Sequence, residues 1–178
     1  MEIYDVMRTT FAGREYTGEE LSTGVIYRIL DMARFAPSGG NRQGWKVIVV
    51  RDDETRRSLV KLTEPAARRY VAQMTRGENP WSSLEPPVVS TEEIAETQVP
   101  SVFTDPLLKS SVVLILCLDL SLAASMDQHL DRVGIITGAS IYPFAWNILL
   151  AARSEGFTGA ITTLAAAEEP GMKELFGL

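Results

Sequence analysis

Between residues 36 and 45 the chain reads Ala-Pro-Ser-Gly-Gly-Asn-Arg-Gln-Gly-Trp, its densest run of hydrogen-bonding side chains set among small residues. Ser38, Asn41 and Gln43 offer donors and acceptors, and the glycines let a ligand approach the backbone closely. A plain helix-to-strand turn uses the same residue types, so spacing alone leaves both uses open. The rest of the chemical inventory is thin. There is one histidine, His129, flanked by Asp127 and Asp131, and one cysteine, Cys117, between two leucines. No Gly-x-Ser-x-Gly, His-Glu-x-x-His, Cys-x-x-Cys or phosphate-loop signature occurs. His129 reads as a surface residue and Cys117 as an inert thiol on a buried strand. A chain without acid–base machinery of its own often leaves the difficult chemistry to a cofactor, which turns attention to the polar turn as a cofactor loop.

The elements that must hold this turn follow from periodicity. Thr17-Gly18-Glu19-Glu20 has the form of a capping box. The apolar residues Leu21, Val25, Ile29, Met32, Ala33 and Ala36 then recur at helical spacing until Pro37 stops them. On the other side of the turn, Val47 to Val50 reads as a short buried strand. Leu59 and Leu62, then Ala66, Tyr70 and Met74, predict two short helices interrupted near Pro65. From 77 to 106 the prolines at 80, 86, 87, 100 and 106 mark a loop-rich insertion, to be read as a lid or as a solvated excursion, with Trp81 and Phe103 as covers or anchors. Val112 to Leu118 predicts a central strand covered on both faces. Asp131 to Arg153 predicts one long, largely apolar helix with a kink at Pro143. A short extended segment, 156–163, precedes a last helix opened by Glu168-Glu169-Pro170.

At 178 residues, with 46% hydrophobic and 22% charged residues, the chain is expected to form a single domain with a real core. Its net charge of −6 and scattered arginines argue against nucleic acid as a partner. The N-terminus lacks a signal-peptide pattern, and the longest apolar run is too short to cross a bilayer, so a cytoplasmic protein without membrane partners is expected.

The turn also carries a family resemblance. Residues 36–45 resemble the Ala-Pro-Ser-x-x-Asn-x-Gln-Pro-Trp signature of FMN-dependent nitroreductases, with Gly44 in place of proline. Arg14-Glu15-Tyr16 resembles the end of that family's N-terminal basic motif, and Asn147 to Gly156 resembles its long core helix. Gly159-Ala160-Ile161-Thr162-Thr163-Leu164 and Glu174 to Leu178 resemble the flavin-facing segment and the helix after it. The resemblance implies an α+β fold, with a central mixed, mainly antiparallel sheet flanked by helices over residues 1–178 and with 77–106 as its lid insertion. It also implies FMN shared between the subunits of a homodimer. Its cofactor-binding residues would be Arg8, Thr10, Arg14, Pro37, Ser38, Gly39, Asn41, Gln43, Ala160, Ile161, Thr162 and Thr163. Thr10, Phe11 and Ala12 stand where the family usually has arginine, a basic residue and serine. Arg8, two residues earlier, is then either a substitute or a solvated surface arginine.

The implied reaction is ping-pong hydride transfer. NADH or NADPH reduces the flavin at N5, and a nitroaromatic, quinone or similar electron-poor small molecule takes the electrons, with no side chain acting as catalytic acid or base. The absence of Gly-x-Gly-x-x-Gly means that the nicotinamide has no Rossmann unit of its own. Alternatives on the same fold are a flavin-cleaving or dehalogenating enzyme, or a flavin-binding protein without turnover.

Overall fold

The computed structural model describes residues 1–178. It is an α+β structure, rich in helix with a small antiparallel sheet, and it divides into two compact units. The first unit comprises Met1–Val50 and Leu114–Ile161, and the second Arg51–Val113 and Thr162–Leu178. None of the helices is long and apolar enough to cross a membrane.

In the first unit, helices α1 (Ile3–Thr9) and α2 (Thr23–Ala33) pack on α6 (Tyr142–Ser154). Helix α2 buries Ile26, Ile29 and Ala33, one stripe at helical spacing, against the region where α6 buries Phe144, Ala145, Ile148 and Ala152. Its cap is Ser22, whose side chain accepts from the Val25 amide at 3.3 Å. The box expected at Thr17 is instead a local turn, Glu19 N donating to Thr17 Oγ1 at 3.3 Å, and the helix starts later than its sequence predicts. The left-handed Gly18, at φ 81°, lies between the two and cannot continue a helix.

Strands β1 (Trp45–Val50) and β2 (Val113–Leu118) form the sheet, closed where Asp119 N donates to Gly44 O at 2.8 Å. β2 has a single strand neighbour, so it is not central in a sheet, and every residue in it is half-buried where coverage on both faces was expected. Cys117 shares this half-burial, which pushes its thiol above the usual range despite the nearby Lys46. The long helix expected from Asp131 is shorter. Residues 131–135 are irregular, Ile136–Ser140 is a 3-10 turn, and Pro143 lies in the first turn of α6. Proline starts this helix instead of kinking it, since its missing N–H is one that no intrahelical carbonyl needs.

The second unit is organised by α3 (Asp53–Thr75), one continuous helix of 23 residues that runs through Pro65 where two helices were expected. Pro65 and Lys61 are both exposed, so the missing backbone bond falls on the solvent side of α3 and the helix continues through it. Leu59, 1% exposed, anchors the buried side. Helices α4 (Thr91–Glu96), α5 (Asp105–Lys109) and α7 (Glu169–Phe176) pack on α3. The expected last helix is α7, with Pro170 in its first turn and left-handed Gly177 at its end.

The 77–106 excursion has more structure than its composition suggests. Ser90 and Glu93 make a complete capping box on α4. Glu78 Oε1 accepts from the Val88 and Val89 amides at 3.2 and 2.7 Å, and Glu78 Oε2 accepts from Gln73 Nε2 at 3.0 Å. The buried Arg56 guanidinium donates to the carbonyls of Leu107, Leu108 and Ser110, satisfying the end of α5. Trp81 lies against the Arg69 guanidinium, 4.2 Å from ring centroid to carbon, and Phe103 against Tyr70. Both aromatics anchor the excursion.

Candidate functional site

The polar turn folds tightly on itself. Ser38 O accepts from Asn41 N at 2.8 Å, Ser38 Oγ accepts from Gln43 N at 2.9 Å, and Asn41 Oδ1 accepts from Gln43 Nε2 at 3.1 Å. Gly39 N donates to Ser140 Oγ at 3.1 Å, attaching the turn to the entry of α6. Trp45 stacks on Phe144 with 4.7 Å between centroids and 5° between planes, attaching its exit to the same helix. The tryptophan of the motif is therefore a packing residue.

Backbone conformation sets this turn apart from an ordinary connection. Gly40, Asn41 and Gln43 all have left-handed φ, at 61°, 53° and 51°. For Gln43 this costs on the order of 1–2 kcal/mol, and asparagine bears it more easily. The strain lets the side chains of residues 38, 41 and 43 gather at one exposed spot, with the Ser38 hydroxyl hydrogen and the Asn41 amide nitrogen still able to donate. Pro37 is exposed at its start. Gly44, where the related motif has proline, is buried. A β carbon there would stand 2.9 Å from Leu122 Cβ and 3.2 Å from Asp119 O, so the substitution matches a close approach of the chain.

A second cluster joins the N-terminal segment to the residues after α6. Ala12 pairs in parallel with Gly159, Gly13 N donates to Gly159 O at 3.2 Å, and Thr158 Oγ1 donates to Phe11 O at 3.2 Å. Two stretches almost 150 residues apart in sequence thus lie side by side, with Arg14 at the end of one and Ala160 and Ile161 at the end of the other. Arg14 is exposed and its Nη1 reaches only the Ala12 carbonyl, at 3.4 Å. Tyr16, bonded to Gly13 O, has its phenol raised by burial, with Arg14 opposing the shift.

Other expected site residues are placed differently. Arg8 forms an ion pair with Asp5 on its own helix. Thr10 turns its hydroxyl back to the Val6 carbonyl at 2.7 Å. Thr162 and Thr163 are exposed and fall in the second unit. His129 is exposed in a turn.

Sequence reasoning missed two residues here. Ser140 holds the Gly39 amide, and Asp127 orders the stretch before α6, accepting from Arg132 Nη1 at 2.7 Å and Ile135 N at 2.8 Å. The Asp127 carboxyl is held below its usual range by the Ile135 amide first and the Arg132 guanidinium second. An aspartate eight residues ahead of an apolar pair carries no pattern that periodicity can detect.

The family model for the Nitroreductase family matches residues 7–178. The chain belongs to the nitroreductase family. Solved structures share this family fold at low identity. A BluB-like flavoprotein from Clostridium difficile 630 superposes with a TM-score of 0.69 at 17% identity, covering 100% of this chain and 83% of that one. Oxidised iodotyrosine deiodinase, bound to FMN and 3-iodo-L-tyrosine, gives 0.67 at 16%, covering 99% and 81%. A nitroreductase-like protein in complex with FMN from Desulfovibrio desulfuricans gives 0.64 at 17%, covering 100% and 77%. Among curated protein sequences none matches significantly.

The residues of this nitroreductase-family chain suit a flavin mononucleotide in kind. The left-handed turn presents neutral donors, the 158–161 segment presents small and apolar residues, and Arg14 is a cation without a carboxylate partner.

Proposed function

We propose that the chain binds FMN in a homodimer and passes reducing equivalents from NADH or NADPH to an electron-poor small molecule such as a nitroaromatic or quinone. The observation that carries this reading is the Ala12–Gly159 pairing, which gathers the N-terminal motif and the 158–161 segment within the first unit. FMN, when bound, supplies the centre that accepts and returns hydride. Arg14 offers a guanidinium to its phosphate or ribityl end. Ser38 and Asn41 donate hydrogen bonds to polar ring atoms and so favour the negative charge that accompanies reduction. Pro37, Gly39 and Gln43 shape that turn, Thr10 and Arg8 stand on the N-terminal approach, and Ala160 and Ile161, at the end of the first unit, line the ring. Nothing in this set acts as a catalytic acid or base.

A second copy of the chain is supported by apolar surface in the first unit. Tyr142 and Trp146, four residues apart on α6, are 57% and 41% exposed, and Phe35 is 69% exposed. Such surface on the helix that also fills the core suits a subunit interface.

Anaerobic addition of NADH or NADPH to the FMN-loaded protein tests the reading. Bleaching of the flavin bands, followed by their return when a quinone or nitroaromatic is added, is the expected result. Flavin that stays oxidised with both donors would remove the reductase activity and leave a flavin-binding or dehalogenating role.

A further inference from the structure

Two helices of the first unit end at the same place. Arg153, in the last turn of α6, reaches the last residue of α1 and donates from Nε to Thr9 Oγ1 at 3.0 Å. The Thr9 hydroxyl itself donates to Asp5 O at 2.6 Å, so it meets Arg153 as an acceptor and holds the guanidinium from one edge. The other edge, with both terminal nitrogens, is left without a carboxylate.

The charges around this point set its character. Glu155, two residues on, is engaged by Arg28 through two bonds at 3.1 and 2.6 Å, and that guanidinium holds its carboxyl below the usual range. Asp5 is taken up by Arg8. Thr10, Phe11 and Ala12 carry no charge, and Arg14 beyond them is bonded only to a backbone carbonyl. The Thr9–Arg14 turn is thus bordered by two guanidinium groups, Arg14 and Arg153, and neither is bonded to a carboxylate, Glu15 beside Arg14 included. Both α1 and α6 present carbonyl ends here, which repel anions, so any anion is held by these side chains and not by helix ends.

We propose that Arg153 is a second phosphate-binding arginine beside Arg14, taking the phosphate monoester of the flavin cofactor. The inference rests on the FMN reading above and adds a residue that no motif singles out. A guanidinium fixed along one edge presents its remaining N–H pair as a fork, the geometry that a phosphate accepts. Arg8 is paired with Asp5 on its own helix, whereas Arg153 has no carboxylate partner.

Riboflavin lacks the phosphate and so separates charge recognition from ring binding. Titrations of the full chain with FMN and with riboflavin, read by flavin fluorescence, give the preference of each variant. Arg153→Met is expected to weaken FMN binding about tenfold while riboflavin binding stays the same. The FMN affinity of this variant also falls less with added salt. Arg153→Lys recovers part of the preference. Thr9→Val, which keeps the arginine and removes its anchor, lowers the preference less than Arg153→Met; it and the lysine variant carry the comparison if the methionine variant does not fold. Equal weakening of both flavins, or an unchanged FMN preference, would overturn the assignment while FMN binding by the parent chain stands. A parent chain that binds neither flavin would overturn the FMN reading, and this inference with it.

Discussion

Gly13 lies so close to Thr158 that a β carbon on it would stand 2.6 Å from Thr158 Cγ2, 3.0 Å from Oγ1 and 3.4 Å from Cβ. No rotation of the threonine clears that space, because all three of its side-chain atoms border it. The close approach is what lets Ala12 and Gly159 pair, and with them the N-terminal motif and the 158–161 segment.

Gly13→Ala should therefore destabilise the chain by roughly 1–3 kcal/mol, as overpacking does. The double variant Gly13→Ala, Thr158→Ala should recover most of the loss, since only the more distant β carbon remains. Urea unfolding of the four members of this cycle gives the coupling directly. Additive losses would mean that the two residues do not oppose one another.

Asp127 predicts an acid-sensitive loop. Its side chain is 5% exposed and its pKa is depressed in the folded state by the Ile135 amide and the Arg132 guanidinium. A depressed carboxylate contributes stability that is present above its unfolded pKa and is lost as pH falls through the folded one. Asp127→Asn should lower the melting temperature at pH 7 by on the order of 5 °C. The gap from the parent chain should narrow as pH drops through and below the ordinary carboxylate range near about 4. A gap that stays constant down to pH 3 would assign Asp127 no ionic role.

The polar turn was easier to read from the sequence than the elements around it. The Ser38–Trp45 turn stood out because it concentrates small and polar residue types in a short run, and its left-handed residues make it an unusual connection. Proline was the recurrent source of error. Pro65 and Pro143 both read as interruptions, yet one rides on an exposed helix face and the other opens a helix. The distinction depends on which side of the helix meets solvent and where the first turn begins, and neither is written locally. Thr17 reads as the cap in the sequence, but Gly18 after it is left-handed, and Ser22, of similar chemistry, caps α2 instead. The Arg153–Thr9 contact spans 144 positions and could emerge only from the folding of α1 onto α6.

Glu78 is the point on which the first half of the excursion turns. Besides the Val88 and Val89 amides, it fixes Gln73, whose Oε1 accepts from Trp81 N at 3.2 Å and so helps to hold Trp81 at φ 57°. Glu78→Ala should raise amide exchange at 81, 88 and 89 by about tenfold or more, as local opening becomes easier. Exchange around 107–110, held by Arg56, should not change. Uniform exchange across both regions would show that the excursion opens as one unit and that Glu78 is not its clasp.

The most direct test of the central claim is the absorbance spectrum of the purified chain after incubation with FMN and removal of free flavin. The account predicts flavin bands that stay with the protein at about one FMN per chain, and that are lost when Asn41 and Arg14 are both replaced by alanine. A colourless protein, or one whose flavin is unaffected by those replacements, would contradict the site described here.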